Sequence, residues 1–365
     1  MSKKLLPLAV SAALVGPLAV QADVTLYGSG RLSINRDDDG GTNSWMDSND
    51  SKIGVKGSEN LGGGLKAIFK FEWGFDPSNT KSGSNNNTLT DRDQWIGLQD
   101  NWGEIRFGSL PTAYKDAGKA IDPMYETSLQ GRNFPSIQSR LHGSSGKYGG
   151  RETNAIRYDS PTFLGGLQVV GNFSFDGNDD STQNDPAYGG GLHYKNGPIF
   201  LFADYINGNL NRQDDQAYKV GGKLDWGQFS VFGQYEWDNG LITASRVDAG
   251  ELDLTGIPAG NEFDGDSADT WFAGLSYKIG NTMLIGEYGQ QSDSNFSGVG
   301  TDTSRGESKG YVLGVRHWLS KRTDIYGGYA NFNPNDKNDF SGTKCKPNTG
   351  DRCESRWTIG INHNF

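Results

Sequence analysis

From Val24 to the last residue, Phe365, the chain repeats one pattern sixteen times: a short run in which apolar side chains occupy every second position. A period of two is the signature of a β-strand whose two faces meet different surroundings. The expected strands cover 24–35, 52–58, 65–75, 92–99, 104–109, 154–159, 167–175 and 188–195. The remainder cover 199–206, 217–225, 229–237, 270–279, 283–291, 310–319, 323–332 and 355–365. The gaps alternate in length. Seven are tight and rich in Gly and Asn, as in Asp100-Asn101-Trp102-Gly103 and Asn196-Gly197-Pro198, and suit hairpins. Eight are long.

An even number of antiparallel strands with alternating short and long connections is the order of a transmembrane β-barrel, with short periplasmic turns and long extracellular loops. Closure follows from backbone chemistry. Hydrocarbon cannot satisfy a bare N–H or C=O, so only helices and closed barrels span a bilayer. After residue 22 no apolar run is long enough for a membrane helix. Only 34% of the residues are hydrophobic, yet the chain holds 53 Gly, 9 Trp, 15 Tyr and 18 Phe. A barrel around water needs apolar residues on one face only, so its mean hydropathy resembles that of a soluble protein. The last strand places Trp357, Ile359, Ile361 and Phe365 on one face. Phe365 is expected to mark closure and assembly, because the last strand must pair with the first and leave no edge. A propeller or β-helix would show blade or rung repeats, and the sequence has none.

Residues 1–22 read as a signal peptide: basic Lys3 and Lys4, an apolar stretch broken by Pro7 and Pro17, then small-x-small Val20-Gln21-Ala22. Residues 23–365 then form a single barrel domain. The net charge of −10 argues against nucleic acid as a partner. Much of the acid lies between strands, in Asp37-Asp38-Asp39, Asp47 and Asp50, and from Asp248 to Asp269. It is expected to be solvated loop charge, with divalent-cation bridging to anionic outer-leaflet lipid and lipopolysaccharide as the sharper reading. Cys345 and Cys353 close a short loop and read as a disulfide in an exported chain.

A barrel of about sixteen strands leaves an aqueous lumen. The longest interior break, 110–150, can fold inward and narrow it. Arg31, Lys52, Lys56, Arg92 and Arg157, with Lys66, Lys70 and Arg106, fall on the non-lipid phase of the early strands. Asp116, Asp122 and Glu126 lie on the 110–150 loop. Together they would set a transverse field across the narrowest point. The lumen phase adds Lys195, Lys219, Lys223 and Lys278 against few acids (Glu72, Glu104, Asp159, Asp225 and Glu236). A weak anion preference is therefore expected despite the acidic total.

Glu59-Asn60-Leu61-Gly62-Gly63-Gly64-Leu65-Lys66-Ala67-Ile68-Phe69 resembles the first periplasmic turn of Gram-negative general diffusion porins. Val24-Thr25-Leu26-Tyr27-Gly28, Trp95-Ile96-Gly97-Leu98, Phe107-Gly108-Ser109-Leu110, Asn154 to Pro161 and Leu319 to Thr323 resemble that family at successive turns, as does the His363-x-Phe365 ending. The resemblance spans nearly all of 23–365. It implies a sixteen-stranded, homotrimeric barrel in the outer membrane with a constricting third loop, and a basic cluster onto which Arg31, Lys52, Arg92 and Arg157 map by position. The third loop lacks the Pro-Glu-Phe-Gly stretch of some relatives, so the acidic partners are less well defined than the basic wall.

No catalytic residue, metal or cofactor is expected. His142, His193, His317 and His363 show no metal spacing. His142 with Ser144 and Ser145 is the one Ser–His grouping, and a nucleophile also needs a base with its orienting acid. Gly62-Gly63-Gly64 lacks the following Lys-Ser/Thr of a phosphate loop. The remaining alternatives are a channel specific for oligosaccharide or phosphate, or a receptor that uses a barrel only as an anchor.

Overall fold

The computed structural model describes residues 23–38, 42–78, 89–134, 136–143, 150–175, 186–208, 216–242, 268–292, 308–334 and 355–365. The 1–22 leader, Cys345, Cys353, Ser144, Ser145 and the acidic run from Asp248 to Asp266 lie outside them.

The strands are β1 (Asp23–Asp38), β2 (Thr42–Ser48), β3 (Lys52–Gly62), β4 (Leu65–Gly74), β5 (Thr90–Asp100), β6 (Gly103–Pro111), β7 (Arg151–Asp159), β8 (Leu167–Ser174) and β9 (Ala187–Asn196). They continue as β10 (Ile199–Asn207), β11 (Gln216–Trp226), β12 (Phe229–Asn239), β13 (Thr270–Ile279), β14 (Thr282–Gln291), β15 (Ser308–Trp318), β16 (Thr323–Pro334) and β17 (Ser355–Asn364). Each pairs antiparallel with its sequence neighbours, apart from the step between β2 and β3. There β2 covers the upper half of β1 and β3 the lower half, so the two act as one strand interrupted at Asn49-Asp50-Ser51. The result is a closed sixteen-stranded antiparallel barrel. The 36–51 stretch, expected as loop, contributes β2 because β1 runs on to Asp38 and offers it an edge.

Closure occurs between β1 and β17, from Ser29 opposite Asn364 to Asp37 opposite Arg356. Phe365 N–H donates to Gly28 O at 3.0 Å and Gly28 N–H donates to Phe365 O at 3.2 Å. A Cβ on Gly28 would lie 2.4 Å from the Phe365 ring, so this glycine makes room for the terminal aromatic. Higher on the seam, Arg356 donates to both oxygens of Asp37 at 3.0 and 3.1 Å. Asp37, expected in solvated loop charge, is instead a buried seam ion pair.

Burial is inverted relative to a soluble protein. Leu26, Ile96, Val231, Leu275 and Ile359 are exposed on the outer face, while Ser29, Arg31, Ser33 and Asn35 are buried inside. Two aromatic girdles bound the outer band. Near the long loops, rings pair across neighbouring strands in Tyr188–Tyr205, Tyr205–Tyr218, Trp271–Tyr288 and Tyr329–Trp357, and along β12 in Tyr235–Trp237. Near the short turns lie Trp102, Phe163, Trp226 and the stacked pair Phe229–Tyr277. On β11, Tyr218 to Trp226 spans about 20 Å along the axis at a tilt of ~40°. That suits the hydrocarbon band of an outer membrane. The first tight turn uses Gly62, Gly63 and Gly64 at φ 94°, 65° and 99°, a left-handed path that L side chains avoid.

The described part of the third loop, 112–134 and 136–143, enters the barrel. Helix α1 (Ala113–Ile121) starts at Thr112, whose Oγ accepts from Lys115 N–H at 3.2 Å. It ends before Asp122-Pro123. Its apolar stripe and the following turns bring Ala117, Ile121, Met124, Leu129, Phe134 and Ile137 against Phe202, Phe232, Phe272, Ile285, Val312 and Tyr326 of the inner wall. The main apolar core of the molecule thus lies inside the barrel, between this loop and the wall of β10 to β16. Each fully buried side chain there contributes on the order of 2 kcal/mol to holding the loop down.

Candidate functional site: a charged loop clamped across the lumen

With its apolar side held against β10–β16, the loop turns its charged side toward β1 and β3–β7. Glu126 lies between Arg31 Nη2 at 2.6 Å and Lys52 Nζ at 2.5 Å. Arg31 also reaches Asp50 O and Asn364 Oδ1, both at 3.2 Å, which ties the clamp to the closing seam. Asp50 accepts from Arg92 Nη1 at 3.1 Å and from Arg132 of the loop. Arg92 Nε donates to Glu72 at 2.7 Å, and Tyr27 OH donates to the other Glu72 oxygen at 2.8 Å. Lys70 bridges Glu72 at 3.3 Å and Asp93 at 2.6 Å, and Arg151 continues the chain to Asp93 at 2.8 Å. A second patch joins Asp116 of α1 to Arg157 at 2.6 Å. Arg157 also holds Asp159 at 2.9 Å, and Asp159 meets Arg106.

Asp50 and Glu126 both sit at φ 62°. A non-glycine residue in this region is strained by about 1–3 kcal/mol and persists only where surrounding contacts enforce it. Asn154 and Leu164 share positive φ, and of these four residues Asp50 and Glu126 are the acids that join a loop to cations of the wall. Burial pushes the Glu126 carboxyl up, but Lys52 and Arg31 outweigh it and hold it below the ordinary value. Asp116 behaves alike, with Arg157 overcoming burial. Asp50 is depressed further, as Arg132 and Arg92 outweigh its burial.

The charged residues expected at the constriction divide into two groups. Arg31, Lys52, Arg92 and Arg157 stand around the loop, with Glu126 and Asp116 facing them. Lys56 does not join them: it is exposed nearer the short-turn end, with its Nζ 5.3 Å from the Tyr27 ring centre. Asp122 turns into its own loop, where its oxygens accept Met124 N–H at 2.8 Å and Gly131 N–H at 2.9 Å. Burial pushes its carboxyl up to about 6. Asp50 and Arg132 are site residues that strand phase and loop charge did not single out. The signal available was an Asn-Asp pair at a break in the strand pattern, the residue types most tolerant of left-handed backbone.

A buried polar latch anchors α1 on the far wall. Glu236 accepts Tyr114 OH at 2.9 Å, Ser139 N–H at 3.1 Å and Ser139 Oγ at 2.6 Å. Lys219 donates to Tyr114 O and lies 3.0 Å from His142 Nε2. Burial, then Lys219, push His142 well below its ordinary value, so its ring is neutral. Its Nδ1 lies 3.1 Å from Ser139 O, so the ring is occupied in the latch. Among the described residues no cluster of three or more His, Cys, Asp or Glu could hold a metal ion.

The model of the Gram-negative porin family matches residues 8–337. The chain is 33% identical to the major outer membrane protein P.IB of Neisseria meningitidis serogroup B, over 88% of this chain and 91% of the relative. It is 29% identical to an outer membrane porin protein of Bordetella pertussis, over 90% and 94%. Among solved structures it is similar to the anion-selective porin from Comamonas acidovorans (TM-score 0.69, 21% identity, 94% of this chain and 100% of that one). It is also similar to OmpT of Vibrio cholerae in its trimer form (TM-score 0.63, 15% identity, 94% and 99%). These last two likenesses bear on the fold.

Proposed function

Because the chain belongs to the Gram-negative porin family and is an outer-membrane porin, we propose that it forms a water-filled channel for passive diffusion of small hydrophilic solutes and ions, with a weak preference for anions. The observation that carries the preference is the charge balance where loop and wall meet. Arg31, Lys52, Lys70, Arg92, Arg106, Arg132, Arg151 and Arg157 outnumber Asp50, Glu72, Asp93, Glu104, Asp116, Glu126 and Asp159. Pairing neutralises most of this charge locally, so the residual positive field is small and selectivity is weak rather than strict. The similarity to a Comamonas acidovorans porin that is anion-selective supports the sign.

Arg31, Lys52, Arg92 and Arg157 form the wall of the constriction in this reading, with Glu126 and Asp116 as the loop acids and Asp50 added to them. Asp122 braces the loop, and Lys56 lines the vestibule below. The channel acts by geometry and charge, with no catalytic step. Assembly as a homotrimer in outer-membrane lipid and lipopolysaccharide is part of the same proposal, supported by the trimer form of the Vibrio neighbour. So are removal of residues 1–22 on export and a Cys345–Cys353 disulfide. Single-channel recording of purified protein in a planar bilayer under a KCl gradient tests the reading. The expected outcome is stepwise conductance with a reversal potential of anion-selective sign, and a cation-selective sign would overturn the preference.

A further inference from the structure

We propose that the vestibule beneath the third loop, on the short-turn side that faces the periplasm, carries a binding site for aromatic carboxylates, built around Trp318 and Lys278. The inference rests on the channel reading and names a solute class for it. Lys278, Met283 and Arg316 are direct cross-strand neighbours on β13, β14 and β15, so their side chains share one face of the sheet. That face is the lumen, because Arg316 Nη1 donates to Pro123 O of the inward loop at 3.1 Å and Met283 packs against the internal core. Trp318, two residues beyond Arg316, lies on the same face and is half-buried. Lys278 Nζ lies 5.6 Å, and the Arg316 guanidinium carbon 5.5 Å, from the Trp318 ring centre.

The two cations differ in availability. Arg316 is committed, with Nε and Nη2 on the Asp324 carboxylate at 2.8 and 3.0 Å. Lys278 is exposed, and among the described residues no carboxylate pairs with it. The site therefore offers an aromatic ring and, beside it, a cation with no carboxylate partner among the described residues. A flat anion with an arene ring satisfies both: its ring stacks on Trp318 and its carboxylate meets Lys278. Acetate supplies only the charge and benzyl alcohol only the ring. The same pairing recurs along the wall. Lys195, Phe200, Lys223 and Phe232 are successive cross-strand neighbours on β9 to β12, and Phe200 packs against the same internal core. Phe232 is buried under the loop and Lys223 pairs with Asp225 at 3.1 Å, so a solute leaving the Trp318 site meets Lys195 beside the half-buried Phe200.

The test uses the full-length channel in a planar bilayer with KCl on both sides. Benzoate added to the short-turn side is expected to reduce the open-channel current at concentrations where acetate and benzyl alcohol leave it unchanged. Trp318→Leu and Lys278→Gln should each raise the half-blocking benzoate concentration about two- to tenfold, with the KCl conductance retained. Normal KCl conductance with equal blockade by benzoate and acetate, or with blockade unaffected by both substitutions, would overturn the site and leave the channel intact. Absence of KCl conductance in the wild-type channel would overturn both.

Discussion

Glu126 is the single side chain on which the clamp depends most. Replacing it with Gln removes the charge that holds Arg31 and Lys52 and leaves both cations facing the solute path. We expect Glu126→Gln to move the reversal potential further toward the anion-selective sign, read in the same KCl gradient. Acid should act in the same direction. The Glu126 carboxyl is depressed in the folded state, so its stabilising contact is complete above the ordinary Glu value of about 4.3 and is lost as pH falls through its lower folded value. Asp122 has the opposite sign. Its carboxyl is raised to about 6, so its contribution to stability is full below the ordinary Asp value of about 3.9 and is lost as pH rises through about 6. Thermal unfolding in detergent should therefore move to lower temperature between about pH 4 and about pH 6, and Asp122→Asn should flatten that slope. Which acids face the wall was only partly legible in the sequence. Strand phase places a side chain on the lumen face, which suffices for Arg31 and Lys52. A loop carboxylate has no phase, and Asp122 and Glu126 differ only in the turn between them.

At the scale of elements, the strands were legible because each crosses from water-facing to lipid-facing positions at every residue. Strand β2 was not. Thr42 to Ser48 is polar throughout except for Trp45 and Met46, and it lies on the long-loop side, where no lipid enforces alternation. Inward folding of the third loop could be expected from its length. Its seat could not, since the facing apolar residues lie as single inward positions on separate strands. Phe134 is fully buried in that seat. Phe134→Ala should weaken docking by about 3–5 kcal/mol. The expected result is larger, noisier single-channel conductance and faster entry of bulky sugars in liposome swelling, with the barrel still folded. At the seam, deletion of Phe365 removes two backbone hydrogen bonds and the ring that fills the space at Gly28. The yield of heat-modifiable, folded barrel on electrophoresis should fall, while deletion of a residue between β8 and β9 should leave it unchanged.

For the molecule as a whole, the sign of the total charge and the sign of the field in the channel are separate quantities. The chain carries −10 overall, yet the residues around the third loop carry more bases than acids. Screening over about 8–10 Å at physiological salt lets the narrow zone govern selectivity independently of distant loops. Two aromatic girdles fix the barrel in the membrane, an apolar seat fixes the loop against one wall, and ion pairs fix its other side against the opposite wall. Selectivity depends on the slight excess of positive charge left at that last junction once its ion pairs are counted. The reversal potential of single channels in a KCl gradient measures this most directly. An anion-selective sign that weakens as salt rises is the predicted result, and a cation-selective sign at low salt would contradict it.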